Sequence, residues 1–278
     1  MLINGSTELI AHIGFPTHSF KAPMIYNPYF ESVGINAVVV PMGCKPDNFA
    51  KFLPSVFGLS NIRGALITMP HKVAVTDFLD EASAAVNISG ACNAVKKSAD
   101  GKLIGDMFDG EGFVRGIIRK GFSVKGKSAL VIGSGGVGSA IAASLAKAGI
   151  AQIALFDVNA DNAIELGKRL QKHYPKLQVT LGSNDPTGFS LLVNATPLGM
   201  NEGDALPVDV SKLAASTFVG EVVMKTEMTA FLSAAKARGC QVQIGTDMLF
   251  EMIPAYLEFF GFPTTTPDVL QRLARVRY

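Results

Sequence analysis

One segment limits the fold more than any other. From residue 129 the chain reads Ala129-Leu-Val-Ile-Gly-Ser-Gly-Gly-Val-Gly-Ser-Ala140. This is an apolar strand, then three spaced glycines, then the start of an Ala-rich amphipathic helix. A second apolar strand over residues 153–156 runs into Asp157. Each part has a physical reason. Gly133 permits the tight turn, Gly135 lets the backbone approach a pyrophosphate, and Gly138 lets helix and strand pack closely. The N-terminus of the helix offers unpaired N–H groups and a partial positive charge to phosphates. Strand, loop, helix and acid in register predict a dinucleotide-binding βαβ unit. Gly133, Ser134, Gly135, Gly136, Val137 and Gly138, with Asp157, are its candidate cofactor-binding residues.

The acid also selects the cofactor. A carboxylate at the end of the second strand accepts hydrogen bonds from ribose hydroxyls and repels the 2′-phosphate of NADP, which usually needs an Arg nearby. The residues that follow are Val158, Asn159, Ala160, Asp161 and Asn162, and no basic residue occurs before Lys168. The expected cofactor is NAD.

A chain of 278 residues suits two domains and can bury a sizeable core. Charged residues make up 17% and hydrophobic ones 48%, the balance of a compact globule rather than a disordered chain. A net charge of +2 without a basic run argues against nucleic-acid and membrane-surface partners. Cys44, Cys92 and Cys240 are scattered and lack a C-x-x-C spacing. They read as reduced, mostly buried thiols, not as a disulfide frame or a zinc site. His12 and His18 form no metal-ligand spacing with each other or with a cysteine, so no metal is expected. The N-terminus has no charged n-region or cleavage pattern, and no apolar run has transmembrane length. The expectation is a soluble cytoplasmic protein, monomer or homodimer, with a small-molecule substrate.

The glycine-rich loop begins near the middle of the chain, so a domain of its own size precedes it. There, residues 9–13, 37–40 and 64–68 read as strands, and residues 23–33 and 47–57 as helices, the first with Pro in its opening turn. Alternating strands and helices predict a largely parallel, open sheet. Further strands are expected over residues 178–181, 191–194, 218–221 and 241–244, with helices over 248–261 and 268–277. The fold class is therefore α/β in two domains. An N-terminal open α/β substrate-binding domain spans residues 1–110, a C-terminal Rossmann domain spans 111–249, and helices from about 250 to 278 return to the first. A cleft between two such sheets is a common place for a ligand.

Three segments of the first domain carry polar groups that periodicity does not demand: Thr68-Met-Pro-His-Lys72, Ser89-Gly-Ala-Cys-Asn93 and Gly105-Asp-Met-Phe-Asp-Gly110. Each follows an apolar stretch or sits beside glycines, where loops collect at one rim of a parallel sheet. A Lys, an Asn and an Asp beside a nicotinamide make a hydride-transfer site. Alcohol oxidation needs a base for the hydroxyl proton, and a lysine serves once burial or a neighbouring cation lowers its pKa. A carboxylate within reach holds the hydroxyl and the ammonium in position.

In these segments the chain resembles the shikimate/quinate dehydrogenases, and the likeness runs over nearly its full length. It is carried by Gly14-Phe-Pro16 with Lys21-Ala-Pro23, Thr68-Met-Pro-His-Lys72, Gly90-Ala-Cys-Asn93, Gly105-Asp106 with Asp109-Gly110, the glycine loop, Asn194-Ala-Thr-Pro-Leu-Gly-Met200 and Gly245-Thr-Asp-Met-Leu249. The resemblance implies that Lys72 and Asp109 are the catalytic pair and that Thr68 and Asn93 contact substrate. It also implies that Asn194, Ala195 and Thr196 lie along the nicotinamide half of the cofactor, with Gly245 and Met248 near its ring.

Departures from the family pattern fall on the substrate shell. Phe20 and Ala22 stand where the family usually has two carboxylate-binding serines, with Ser19 close by as a substitute. Leu66 stands for an Asn, Met107-Phe108 for Asn-Thr, Met224 for a Tyr, and Met252 for a Gln at a substrate-contacting position. Each lost hydrogen bond is worth about 0.5–1.5 kcal/mol. The expectation is an NAD-dependent dehydrogenase acting on a cyclic polyhydroxy carboxylate such as shikimate, quinate or an analogue, with shikimate itself disfavoured. The alternative is a sensor that binds NAD and a metabolite without turnover. His71 reads as a core or orienting residue, Asp106 as structural, and Glu221 and Lys225 as charges at loop ends.

Overall fold

The computed structural model describes residues 2–276. The chain divides into two compact units. Unit 1 comprises the residues up to Val86, Gly90–Met107 and those from Ile253 onward; unit 2 comprises Asn87–Ser89 and Phe108–Met252. The boundary near the middle falls before Phe108, so Asp109 and Gly110 fold with the second unit rather than with the first.

Unit 1 is built on β1 (Glu8–Gly14), β2 (Ala37–Gly43), β3 (Ile62–Ile67), β4 (Glu81–Ala82), β5 (Ala94–Lys97) and β6 (Leu103–Asp106), in the spatial order β2-β1-β3-β5-β6-β4. β5 runs antiparallel to both β3 and β6, and the other pairings are parallel. The central strand β1 is covered on both faces, as its apolar run requires: Ile10, Ala11 and Ile13 are fully buried. Helix α1 (Pro23–Ser32) has Pro in its first turn, where a missing N–H costs nothing. Helix α2 (Pro46–Phe57) buries Phe49, Leu53, Val56 and Phe57, the one-sided spacing of an amphipathic helix. Helix α3 (Ala84–Ser89) is capped by Ser83, whose Oγ accepts the Val86 N–H at 3.2 Å, and ends at Gly90 with φ +67°.

Unit 2 begins with α4 (Asp109–Arg119). It continues through β7 (Ser128–Ile132), α5 (Gly136–Lys147), β8 (Gln152–Phe156), α6 (Ala160–His173), β9 (Gln178–Leu181), β10 (Leu191–Asn194), β11 (Phe218–Glu221), α7 (Ala230–Ala237) and β12 (Gln241–Gln243). The strands lie in the order β12-β11-β10-β7-β8-β9, all parallel. This is the doubly wound order of dinucleotide-binding domains, whose switch point lies between β7 and β10. Alternate residues feed opposite faces. Ala129, Val131, Leu155 and Val193 join one buried cluster, and Leu130, Ile132, Leu192 and Val219 join the other.

Helix α8 (Gly245–Phe260) carries the chain from unit 2 into unit 1, and α9 (Pro267–Leu273) follows it. Within unit 1, Arg63 Nε donates to Phe260 O at 2.6 Å and Lys96 Nζ to Phe259 O at 2.9 Å. The last helix is shorter than the expected 268–277, and residue 277 lies outside the described residues. The expected polar rim segment over residues 105–110 is also divided: Gly105 and Asp106 end β6, whereas Asp109 and Gly110 open α4. Local composition marked the glycines there without revealing that a strand and a helix meet across Met107 and Phe108.

Candidate active site

In unit 1 the chemistry-bearing loops are held side by side by their backbones. Thr68 N–H donates to Ile13 O at 2.9 Å and Phe15 N–H to Met69 O at 3.0 Å, so the loops leaving β1 and β3 run together. Cys92 N–H donates to Lys72 O at 2.8 Å, Asn93 N–H to Asp106 O at 3.0 Å, and Ile67 N–H to Asn93 O at 2.9 Å. Lys72, Asn93 and Asp106, far apart in sequence, therefore occupy adjacent backbone positions at one end of the sheet. Asn93 is 1% exposed, and Lys72 and Thr68 are half-buried. Ser19 is exposed at the end of the single turn Thr17–Ser19.

His71 orients this loop. Its Nε2 lies 2.7 Å from Cys44 O, and because a carbonyl only accepts, Nε2 carries the proton. The ring stacks on Phe49 at 4.1 Å with an interplanar angle of 6°. Asp106 is a clamp, its Oδ1 accepting from Ser83 Oγ at 2.5 Å and from Met107 N–H at 2.7 Å. Burial pushes the Cys92 thiol up to about 12, so it stays a protonated thiol.

His12 was noted in the sequence only for lacking metal-ligand spacing. It is 8% exposed and stacks on Phe20 with centroids 4.1 Å apart. Burial, with a smaller contribution from the Lys72 ammonium, lowers its pKa to about 4. The available signal was a lone imidazole in an apolar strand, two residues before Gly14.

In unit 2 the glycine loop has the expected form. Gly133 has φ +97°, and a Cβ on Gly138 would stand 2.0 Å from Gly133 O. Nothing lies within 4 Å of a Cβ on Gly135 or Gly136, so the backbone there is open to a ligand at the N-terminus of α5. Val137 is half-buried in the first turn of that helix. Ser134 N–H donates to Asp157 Oδ2 at 2.7 Å, and Asp157 Oδ1 accepts from Asn159 N–H at 2.9 Å. The acid is thereby fixed against the loop. The Ser134 hydroxyl is buried without a hydrogen-bond partner in the described residues. An open loop at a helix N-terminus, a fixed acid and an orphaned hydroxyl together fit a dinucleotide.

The segment after β10 adjoins the loop, since a Cβ on Gly133 would meet Ala195 O at 2.8 Å and Thr196 Cγ2 at 2.9 Å. Asn194 is fully buried and shapes its own turn. Its Oδ1 accepts from Thr196 Oγ1 at 2.6 Å and its Nδ2 donates to Leu198 O at 3.0 Å. A Cβ on Gly245 would lie 2.1 Å from Val223 O. Met248 is 3% exposed in the unit 2 core. Met252 is half-buried, and its backbone packs on Gly112 of α4. Asp109 opens α4 and is 4% exposed, a favourable place for a carboxylate near unpaired N–H groups.

Glu221 corrects the reading of a loop-end charge. It ends β11 but is fully buried, with Thr229 Oγ1 donating to its Oε2 at 3.0 Å. Burial raises its pKa to about 7, and the Thr229 hydroxyl opposes that without cancelling it. Lys225 is exposed, as expected. Among the described residues no group of His, Cys, Asp and Glu could hold a metal ion, and no helix is long and apolar enough to cross a membrane.

The family model described as the shikimate dehydrogenase substrate binding domain matches residues 13–95. A shikimate dehydrogenase (NADP(+)) of Desulforamulus reducens is 35% identical, over 98% of this chain and 96% of its own. The chain belongs to the shikimate dehydrogenase family. Solved structures are similar over nearly the whole length of the chain. The shikimate 5-dehydrogenase of Listeria monocytogenes, in complex with shikimate and NAD, has TM-score 0.90 and 26% identity, covering 98% of this chain and 97% of that one. The ligand-free 5-ketofructose reductase of a Gluconobacter strain has TM-score 0.89 and 27% identity, covering 97% and 98%. As a family member the chain is an oxidoreductase acting on CH–OH groups with a nicotinamide cofactor. The alternative of a sensor without turnover has no support among these relatives.

Proposed function

We propose that this member of the family is an NAD-dependent dehydrogenase acting on a ring hydroxyl of a cyclic polyhydroxy compound of the shikimate and quinate class. The observation that carries the cofactor choice is the Asp157 carboxylate, fixed by the Ser134 N–H at 2.7 Å. A carboxylate held there accepts from ribose hydroxyls and repels a 2′-phosphate. The first basic residue beyond it, Lys168, is paired with Glu165 at 2.6 Å.

The bound nicotinamide supplies the hydride acceptor in oxidation and the donor in reduction. The chain's own residues do the rest. The backbone of residues 133–138 cradles the pyrophosphate, and residues 194–196, Gly245 and Met248 flank the nicotinamide half. Lys72 takes the hydroxyl proton in oxidation and returns it in reduction, and Asp109 anchors the same hydroxyl. Thr68, Asn93, Ser19 and Met252 contact the remaining substrate groups. The backbone bonds among Lys72, Cys92, Asn93 and Asp106 support this reading, because they hold the main chain of Lys72 close to that of the buried Asn93. The names of the relatives support a polyhydroxylated substrate: two act on shikimate, one of them with NADP(+) and one crystallised with NAD, and one reduces 5-ketofructose.

Steady-state kinetics with shikimate and quinate, and with each cofactor, provide the test. The expected result is a kcat/KM about tenfold or more higher with NAD than with NADP. A tenfold preference for NADP overturns the cofactor assignment.

A further inference from the structure

Strand alternation in β1 puts Ile10, His12 and Gly14 on one face. Register extends that face across unit 1: Leu66 of β3 lies beside His12, Ala94 of β5 beside Leu66, and Asp106 of β6 beside Ala94. Phe20 covers the rank at the β1 end. Its ring stacks on His12, and its edge and the Thr68 methyl converge over Gly14, where a Cβ would lie 2.9 Å from Phe20 Cζ and 2.4 Å from Thr68 Cγ2. His12 is thus 8% exposed, under an aromatic ring, beside the loop that carries Lys72. Neither of its ring nitrogens hydrogen-bonds a described residue; Nδ1 is fully enclosed, whereas Nε2 is not. Buried polar atoms in folded proteins are nearly always paired, and an exception at a site points to a partner supplied from outside. The low pKa of His12 keeps the imidazole neutral at physiological pH.

We propose that His12 is a specificity residue of the substrate site, which hydrogen-bonds an uncharged hydroxyl or carbonyl of the ligand through Nε2 while Phe20 covers an apolar face. This inference rests on the reading of the Lys72 loop as substrate-binding and refines it: the preferred ring compound is neutral at that end. A hydroxyl both donates and accepts, so it satisfies Nε2 in either neutral tautomer, whereas a carboxylate only accepts and fits only one of them. Phe20 and Ala22, on either side of Lys21, add no side-chain donor, and neither do Leu66 and Ala94 in the rank beyond. An ionised carboxylate taken out of water needs donors at both oxygens.

The test uses a matched pair, shikimate and methyl shikimate, which differ at one group in charge. With the wild-type enzyme and NAD, kcat/KM for the ester exceeds that for the acid by about tenfold, and the difference lies in KM. His12→Leu raises the ester KM by about tenfold and leaves kcat within about twofold. His12→Gln, a neutral hydrogen-bonding side chain, restores most of the loss, and Phe20→Ser lowers KM for the acid. Thermal melts of each variant establish that it is folded. Equal or better use of the acid by the wild type overturns the proposal, as does an ester KM unchanged in folded His12→Leu. If neither compound is turned over with either cofactor, the dehydrogenase reading on these rings fails, and calorimetric titration of both into the NAD-loaded protein still decides this inference. Tighter binding of the ester, lost in His12→Leu, supports it; equal, reversed or absent binding overturns it.

Discussion

The main chain of Lys72 is held by its neighbours. His71 ties the preceding residue to Cys44 O and to the face of Phe49, and Cys92 N–H holds the Lys72 carbonyl. A truncation of the lysine leaves those bonds in place and removes the group proposed to carry the proton. Lys72→Ala is expected to lower kcat by about 100-fold or more, with the Kd for NAD from fluorescence titration within about twofold of wild type. Comparable turnover in that variant rules Lys72 out as the proton carrier. At this scale the glycine loop was legible in the sequence, because the positive φ of Gly133 and the close approach of Gly138 to the Gly133 carbonyl are demands that a side chain does not meet. His12 and Glu221 were not. A titratable residue inside or at the end of an apolar strand looks the same whether it faces water or the interior, and only the packing of Phe20 over one and Thr229 against the other decides.

At the level of elements, the contact between α4 and α5 is backbone against backbone. A Cβ on Gly110 would lie 2.0 Å from Ala140 O and 2.6 Å from Ser144 Oγ, and both of these α5 residues are small and buried. Neither helix can yield, since α5 starts at the glycine loop and α4 starts at Asp109. Gly110→Ala is expected to cost about 3 kcal/mol in urea unfolding, and to weaken NAD binding by displacing α5. A loss within about 0.5 kcal/mol of zero would show that the helices move apart freely. β9, β10, β11 and α2 followed from their apolar periods, whereas α4, α6 and α7 were not assigned. The short strands β4, β5 and β6 were not assigned, because a two-residue strand such as Glu81–Ala82 has no period and β5 mixes Ala and Val with two lysines. The antiparallel placement of β5 depends on its neighbours in the sheet, which local sequence does not encode.

For the molecule as a whole, the buried carboxyl of Glu221 makes stability depend on pH. Its pKa is about 7 in the folded chain, against an ordinary 4.5, so folding favours the protonated acid. The contribution is fully present below pH 4.5 and is lost as pH rises through 7. Glu221→Gln, which keeps a neutral group of similar shape, removes this loss, and its unfolding free energy gains on the wild type by on the order of 3 kcal/mol between those limits. Urea midpoints measured at several pH values check the sign, and a variant that tracks the wild type throughout contradicts it. The doubly wound order of unit 2 followed from one glycine-rich signature and its flanking strands, whereas the mixed sheet of unit 1 carried no comparable signature.

His12, Leu66 and Ala94 form a rank across three strands, whereas the Lys72 carbonyl is held by Cys92 N–H, outside that rank. Two inheritable layers result. On the proposed reading, substitutions along the rank redraw the surface offered to a ligand and leave the backbone bond at Lys72 in place. A lineage built this way can migrate from one metabolite to another by exchanging a few residues of a pleated floor, keeping its reaction while changing its diet.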